Sequence, residues 1–138
     1  MSTHLKEKEE KILQILEQLA EETRKGTPII VEGKKDIETL KTLNIEGKII
    51  SAKTGGKTLL DTISELEKTH SQKVVLLLDF DRRGKELTKN LEKHFEIMGI
   101  EVNLKFWREL LGLLGKELKD VEGLATYIET LKKKICNS

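Results

Sequence analysis

Asp79 and Asp81 stand two residues apart at the end of an unbroken apolar run, Val74-Val75-Leu76-Leu77-Leu78, in the string VVLLLDFD. Five apolar residues in a row cannot alternate between core and water. They predict a strand covered on both faces, as in parallel sheets flanked by helices. Every second side chain of an extended segment points the same way, so both carboxylates share one side while Phe80 turns away. Ligands of open parallel α/β sheets sit beyond the carboxyl ends of the strands, which makes this acid pair a candidate divalent-metal site. Glu32 repeats the placement. It follows Pro28-Ile29-Ile30-Val31, a β-branched run, and precedes Gly33, whose missing Cβ allows close backbone approach. Carboxylates gathered on one rim repel by about 1 kcal/mol per pair near 4 Å in water, and by several times that in a drier site. An Mg²⁺ ion relieves that repulsion. It takes one or two carboxylates and keeps several waters, which suits a shallow rim that also holds a phosphate.

The elements that must position these acids follow from periodicity. Residues 4–25 place Ile12, Leu16 and Leu19 at helical spacing on a charged background and stop at Gly26. A first strand ends at Val31, and Asp36 to Leu43 reads as a helix with Asp36 as its N-cap. Ile49-Ile50 marks a second strand, Gly55-Gly56 a loop, and Leu59 to Lys68 a helix. After the third strand, a helix runs from about Gly84 to Met98 and ends at Gly99. Ile100, Val102, Leu104 and Phe106 alternate with polar residues, the pattern of a half-buried edge strand. Residues 107–115 predict a short helix broken by glycines. Val121, Leu124, Ala125, Ile128, Leu131 and Ile135 form the stripe of a C-terminal helix. Strand–helix alternation repeated three times, then a fourth strand, implies a mostly parallel sheet with right-handed crossovers. The expected fold is α/β: one three-layer, Rossmann-like domain of about four strands. It comprises an N-terminal helix over 1–26, a core over 27–106 and a helical extension over 107–138.

Composition narrows the function classes. Charged residues make up 36% of the 138, yet the formal net charge is +1, so binding to nucleic acid needs a local basic patch rather than bulk charge. Cys136 is the only cysteine, which rules out a disulfide framework or a cysteine-rich zinc site within one chain. The start, MSTHLKEKEE, lacks the apolar core of a secretory signal. No apolar run approaches the roughly 18–20 residues of a membrane span. The expectation is a soluble cytoplasmic protein with no membrane partner. His4, His70 and His94 have no ligand spacing, and Phe106 and Trp107 read as core or a subunit contact because no aromatic ladder accompanies them.

The segments IIVEGKKD and LLLDFDRRG together resemble the Toprim domain, shared by type IA and type II topoisomerases, bacterial primases, OLD-family nucleases and 5S ribosomal RNA maturases. That family carries a Glu after the first strand, within hydrophobic-Glu-Gly, and an Asp-x-Asp after the third. Glu32, Asp79 and Asp81 match in order and context. With the late VEGL, Val121 to Leu124, the chain is most similar to the small stand-alone Toprim proteins of archaea. The resemblance implies that Asp79 and Asp81 bind Mg²⁺, with Mn²⁺ as a substitute. Glu32 would help coordinate the metal or act as general acid/base in phosphodiester cleavage or joining. Lys34, Lys35, Lys53, Lys57, Arg82 and Arg83 would neutralise phosphate oxygens, and the start of the helix near Gly84 would add N–H donors.

A topoisomerase needs a nucleophilic tyrosine in another domain, and Tyr127, the only tyrosine, falls on the predicted C-terminal helix. The expected function is metal-dependent cleavage or transfer on RNA or DNA. The alternative is a non-catalytic module that holds RNA or a ribonucleoprotein through metal-bridged phosphates. Under either, the terminal helices offer stripes for a homodimer or a processing-complex partner. Other families fit less well. SAKTGGKT approximates a Walker A loop, but Ser51 replaces its first glycine. Haloacid-dehalogenase phosphatases carry a Thr or Val where Arg83 stands, and Glu32-Gly33 does not supply the acid pair of a receiver domain.

Overall fold

The computed structural model describes residues 3–137. Four parallel strands, β1 (Ile29–Val31), β2 (Ile49–Ser51), β3 (Lys73–Leu76) and β4 (Glu101–Asn103), form one sheet in the order β2-β1-β3-β4. The helices are α1 (Thr3–Arg24), α2 (Lys34–Thr42), α3 (Leu59–Glu67), α4 (Arg82–Ile97), α5 (Lys105–Leu114) and α6 (Leu124–Cys136), with a 3₁₀ turn at Thr54–Gly56. α1 packs on α5 and α6, and α2 touches α6, whereas α3 packs on α4. This is the three-layer α/β architecture that the alternation implies. The two central strands are buried on both faces: Ile29 to Val31 and Val74 to Leu78 are wholly inaccessible.

Strand order decides where the site can be. From β1 the chain crosses to β2 on one side, then returns to β3 on the other, so the order reverses between β1 and β3. A crevice opens at such a switch point, beyond the strand ends. Ile30 pairs with Leu76, and Leu77 N–H donates to Ile30 O at 2.9 Å. Glu32 and Asp79 therefore leave neighbouring strands at almost the same height.

Local boundaries differ from expectation at four places, each for a visible reason. α2 starts at Lys34 with Gly33 as its cap residue, so Asp36 is the third helical residue and not the N-cap. Its Oδ2 instead accepts from Gly33 N–H at 2.8 Å, one turn back. α4 starts at Arg82 because Asp81 caps it. The expected strand over 100–106 stops at Asn103, whose Oδ1 accepts from Lys105 N–H at 2.9 Å and turns the chain into α5. Phe106 and Trp107 are thus helical, buried with Leu110 and Leu114 at helical spacing. Val121 is fully buried but belongs to the loop before α6, whose cap residue is Gly123.

Candidate metal centre

Glu32 and Asp79 meet in the crevice between β1 and β3. Glu32 is 9% exposed. Its Oε2 accepts from Lys53 Nζ at 2.9 Å, while among the described residues Oε1 is buried with no N–H donor, leaving only the protonated Asp79 carboxyl to meet Glu32. A carboxylate oxygen left without a donor in that position carries its full desolvation penalty. Burial, then the charges of Glu32 and Asp36 and a hydrogen bond of the protonated Asp79 carboxyl to Glu32, push the Asp79 carboxyl up to about 7. Val121 N–H, 3.4 Å from Asp79 Oδ1, opposes the shift weakly. Asp36 is 5% exposed, and burial raises it too, against backbone donors from Gly33 and Glu122. Glu32 and Asp36 thus both make ionisation of Asp79 costlier.

Asp81 is placed differently. The β3 ladder ends at Leu76, so the period-two argument does not reach it. Its Oδ1 accepts from Gly84 N–H at 2.8 Å and caps α4. Gly84 is dictated by packing: a Cβ there would lie 2.1 Å from Asp79 O. The first turn of α4 rests directly on the Asp79 backbone. Among the described residues, no group of three or more His, Cys, Asp or Glu side chains stands ready to hold a metal ion. Glu32 and Asp79 are brought together; the Asp81 carboxylate is engaged in the cap of α4.

The six basic residues separate in the same way. Lys53 reaches Glu32. Lys57 turns back, donating to Ser51 O at 2.8 Å and pairing with Glu65. The Walker A-like loop therefore does not present it to a phosphate. Lys34, Lys35, Arg82 and Arg83 are exposed on the first turns of α2 and α4, the helices that begin at the rim. Lys35 lies 3.9 Å from Glu122, and Arg82 Nε lies 3.4 Å from Glu86.

One wall of the crevice comes from residues 116–123, which sequence reasoning did not assign to the site. Phe80 N–H donates to Lys119 O at 2.8 Å, and Thr39 Oγ1 donates to Glu122 O at 2.9 Å. Together with the Val121 and Glu122 backbone contacts, this strap fastens α2 to the end of β3. VEGL was read as part of a helix.

The Toprim domain family model matches residues 27–108. The chain belongs to the Toprim domain family. Within Toprim proteins it is similar to a UPF0292 protein of Methanocaldococcus jannaschii, 41% identical over 120 residues, covering 86% of this chain and 91% of that one. A UPF0292 protein of Methanosarcina acetivorans is 38% identical over 125 residues, covering 91% of this chain and 85% of the other. Among solved structures, a putative protein from Aquifex aeolicus superposes with a TM-score of 0.65 at 27% identity, over 79% of this chain and 94% of that one. The small archaeal relatives bear out the resemblance read from the motifs. The strap lies beyond the segment matched by the Toprim model.

Toprim domains are generally Mg²⁺-dependent and process nucleic acids. The donors here suit such an ion. Two carboxylates, one with a buried oxygen lacking an N–H donor and one burdened by its neighbours, gain most from a hard dication that retains water. Among the described residues, no helix is long and apolar enough to cross a membrane.

Proposed function

We propose that this Toprim protein cleaves or transfers phosphodiester bonds in RNA or DNA, with Mg²⁺ held by Glu32 and Asp79 and assisted by Asp81. The observation that carries the reading is the buried Glu32 Oε1, without an N–H donor among the described residues, beside the charge-burdened Asp79 at the switch point of the sheet. A bound Mg²⁺ supplies polarisation of a phosphoryl oxygen and a more acidic water. The protein's own groups do the rest. Glu32, paired with Lys53, would help coordinate the ion or act as general acid/base at the phosphodiester. Lys34, Lys35, Arg82 and Arg83, exposed at the rim, bind phosphate oxygens. Lys53 neutralises Glu32, and Lys57 braces the loop that carries Lys53. The strap keeps water from one side of the acids.

The test is incubation of the purified protein with structured RNA, single-stranded DNA and duplex DNA in Mg²⁺ or Mn²⁺. Divalent-dependent cleavage or transfer is expected, falling at least about 100-fold in both Glu32→Gln and Asp79→Asn. Activity that survives both substitutions overturns the reading. Metal-dependent binding of any of these strands without turnover replaces it with the non-catalytic module.

A further inference from the structure

A second feature begins where the acid rim ends. α4 and α5 diverge to leave an open groove of about 390 Å³ whose walls carry Arg82, Lys85, Lys89 and Arg108, and whose floor includes Leu104 and Trp107. Arg82, Lys85 and Lys89 are three and four residues apart and so share one face of α4. They span roughly 10 Å along its axis at about 1.5 Å per residue. Cations set one helical turn apart along such a row can each meet a phosphate of an extended strand. Glu86 and Glu92 also line the groove, which leaves four cations against two carboxylates. In a chain of net charge +1, that is a concentration of positive charge in one place.

The groove has a direction and a firm floor. Arg82 directly follows the cap residue Asp81, so the basic row starts at the rim and leads away along α4. Trp107 is 8% exposed and its indole N–H donates to Leu78 O at 2.9 Å. It cannot swing out to stack on a base; it offers a fixed apolar strip. The open groove admits the sugar-phosphate chain of one strand lengthwise.

We propose that the α4–α5 groove is a docking track for the backbone of a single nucleic-acid strand, held by Arg82, Lys85, Lys89 and Arg108 and delivered to the acid crevice. The track rests on the reading that the substrate is a nucleic acid, and it adds the strand form and the direction of approach. Recognition is by phosphate charge, without base readout.

Fluorescence anisotropy with labelled single-stranded RNA and DNA 12-mers, in EDTA and across a salt series, tests it without turnover. Lys85→Glu/Lys89→Glu is expected to weaken binding at least about tenfold and to flatten the dependence of log K on log salt by roughly 1.4, the release of counterions at two contacts. Arg108→Glu, from the opposite wall, should weaken binding in the same sense. Lys132→Glu/Lys133→Glu, an equal charge change on α6, is the control, and thermal melts verify that each variant folds. Groove variants that bind as tightly as the unaltered protein overturn the track and leave the catalytic reading standing, as does an equal loss in the α6 control. Failure of the unaltered protein to bind either strand, with no cleavage in Mg²⁺, overturns the catalytic reading and the track with it.

Discussion

A carboxyl raised to about 7 in the fold and near 3.8 in the open chain has a measurable cost. Between about pH 4 and pH 7 the unfolded chain sheds the Asp79 proton while the folded chain keeps it, so the unfolded state binds fewer protons and stability falls as pH rises. Above about pH 7 the loss is complete and the curve flattens. Asp79→Asn removes this dependence. In metal-free buffer the variant is expected to melt above the unaltered protein at pH 8, the gap closing towards pH 4, in scanning fluorimetry across pH. Added Mg²⁺ should raise the melting temperature of the unaltered protein at pH 8, by binding the folded state alone, and should not raise that of the variant. A variant that melts lower at pH 8 would show that the carboxylate is well compensated and would remove the electrostatic case for a cation. At this scale the sequence was informative for Glu32 and Asp79, because each stands where an apolar run stops. Asp36 was legible only as a helix-end residue. Its burial depends on the strap, about 80 residues away in the chain, and no local pattern reports that.

Among the elements, two glycines flank the acids and have opposite reasons. Gly84 has no room for a side chain, since α4 sits on the Asp79 carbonyl. Gly33 has an extended backbone (φ −138) and only Asp36 Oδ2, at 3.8 Å, near a notional Cβ. Gly84→Ala should therefore cost about 2–3 kcal/mol as helix and strand end are forced apart, and it should lower Mg²⁺-induced stabilisation along with it. Gly33→Ala should fall within about 0.5 kcal/mol of the unaltered protein. Denaturant melts with and without Mg²⁺ check both. If Gly33→Ala then loses nucleic-acid binding at unchanged stability, its bare face serves a ligand; if it binds normally, Gly33 serves only the turn. The sequence exposed the strand–helix order because buried strands are uniformly apolar. It misplaced the residues 100–106 because apolar residues at 100, 102, 104 and 106 satisfy a period of two, and those at 106, 107, 110 and 114 satisfy a helix. The Asn103 side chain settles the choice by turning the backbone.

For the molecule as a whole, the parts outside the family match complete the site within it. Glu117, at the head of the strap, accepts from Lys8 of α1 at 3.0 Å and from the Tyr127 hydroxyl of α6 at 2.5 Å, with the Lys8 ammonium 5.7 Å from the Tyr127 ring centre. Two terminal helices and the strap are joined at that point, two residues before the strap reaches Phe80. The tie is at the surface, so it adds little to global stability: exposed pairs contribute about 0–1 kcal/mol. Its effect should be local, because the strap buries few apolar groups beyond Val121 and opens more easily than the sheet. Glu117→Ala is expected to lower overall stability by less than about 1 kcal/mol while speeding amide exchange at Phe80 and Val121. Leu76 and Leu77, deep in the β1–β3 ladder, should exchange as before. Hydrogen-exchange mass spectrometry with and without Mg²⁺ reads both regions at once. An equal acceleration in ladder and strap would show that they open as one unit, and the coupling of the terminal helices to the acid crevice would then run through the core instead of through Glu117.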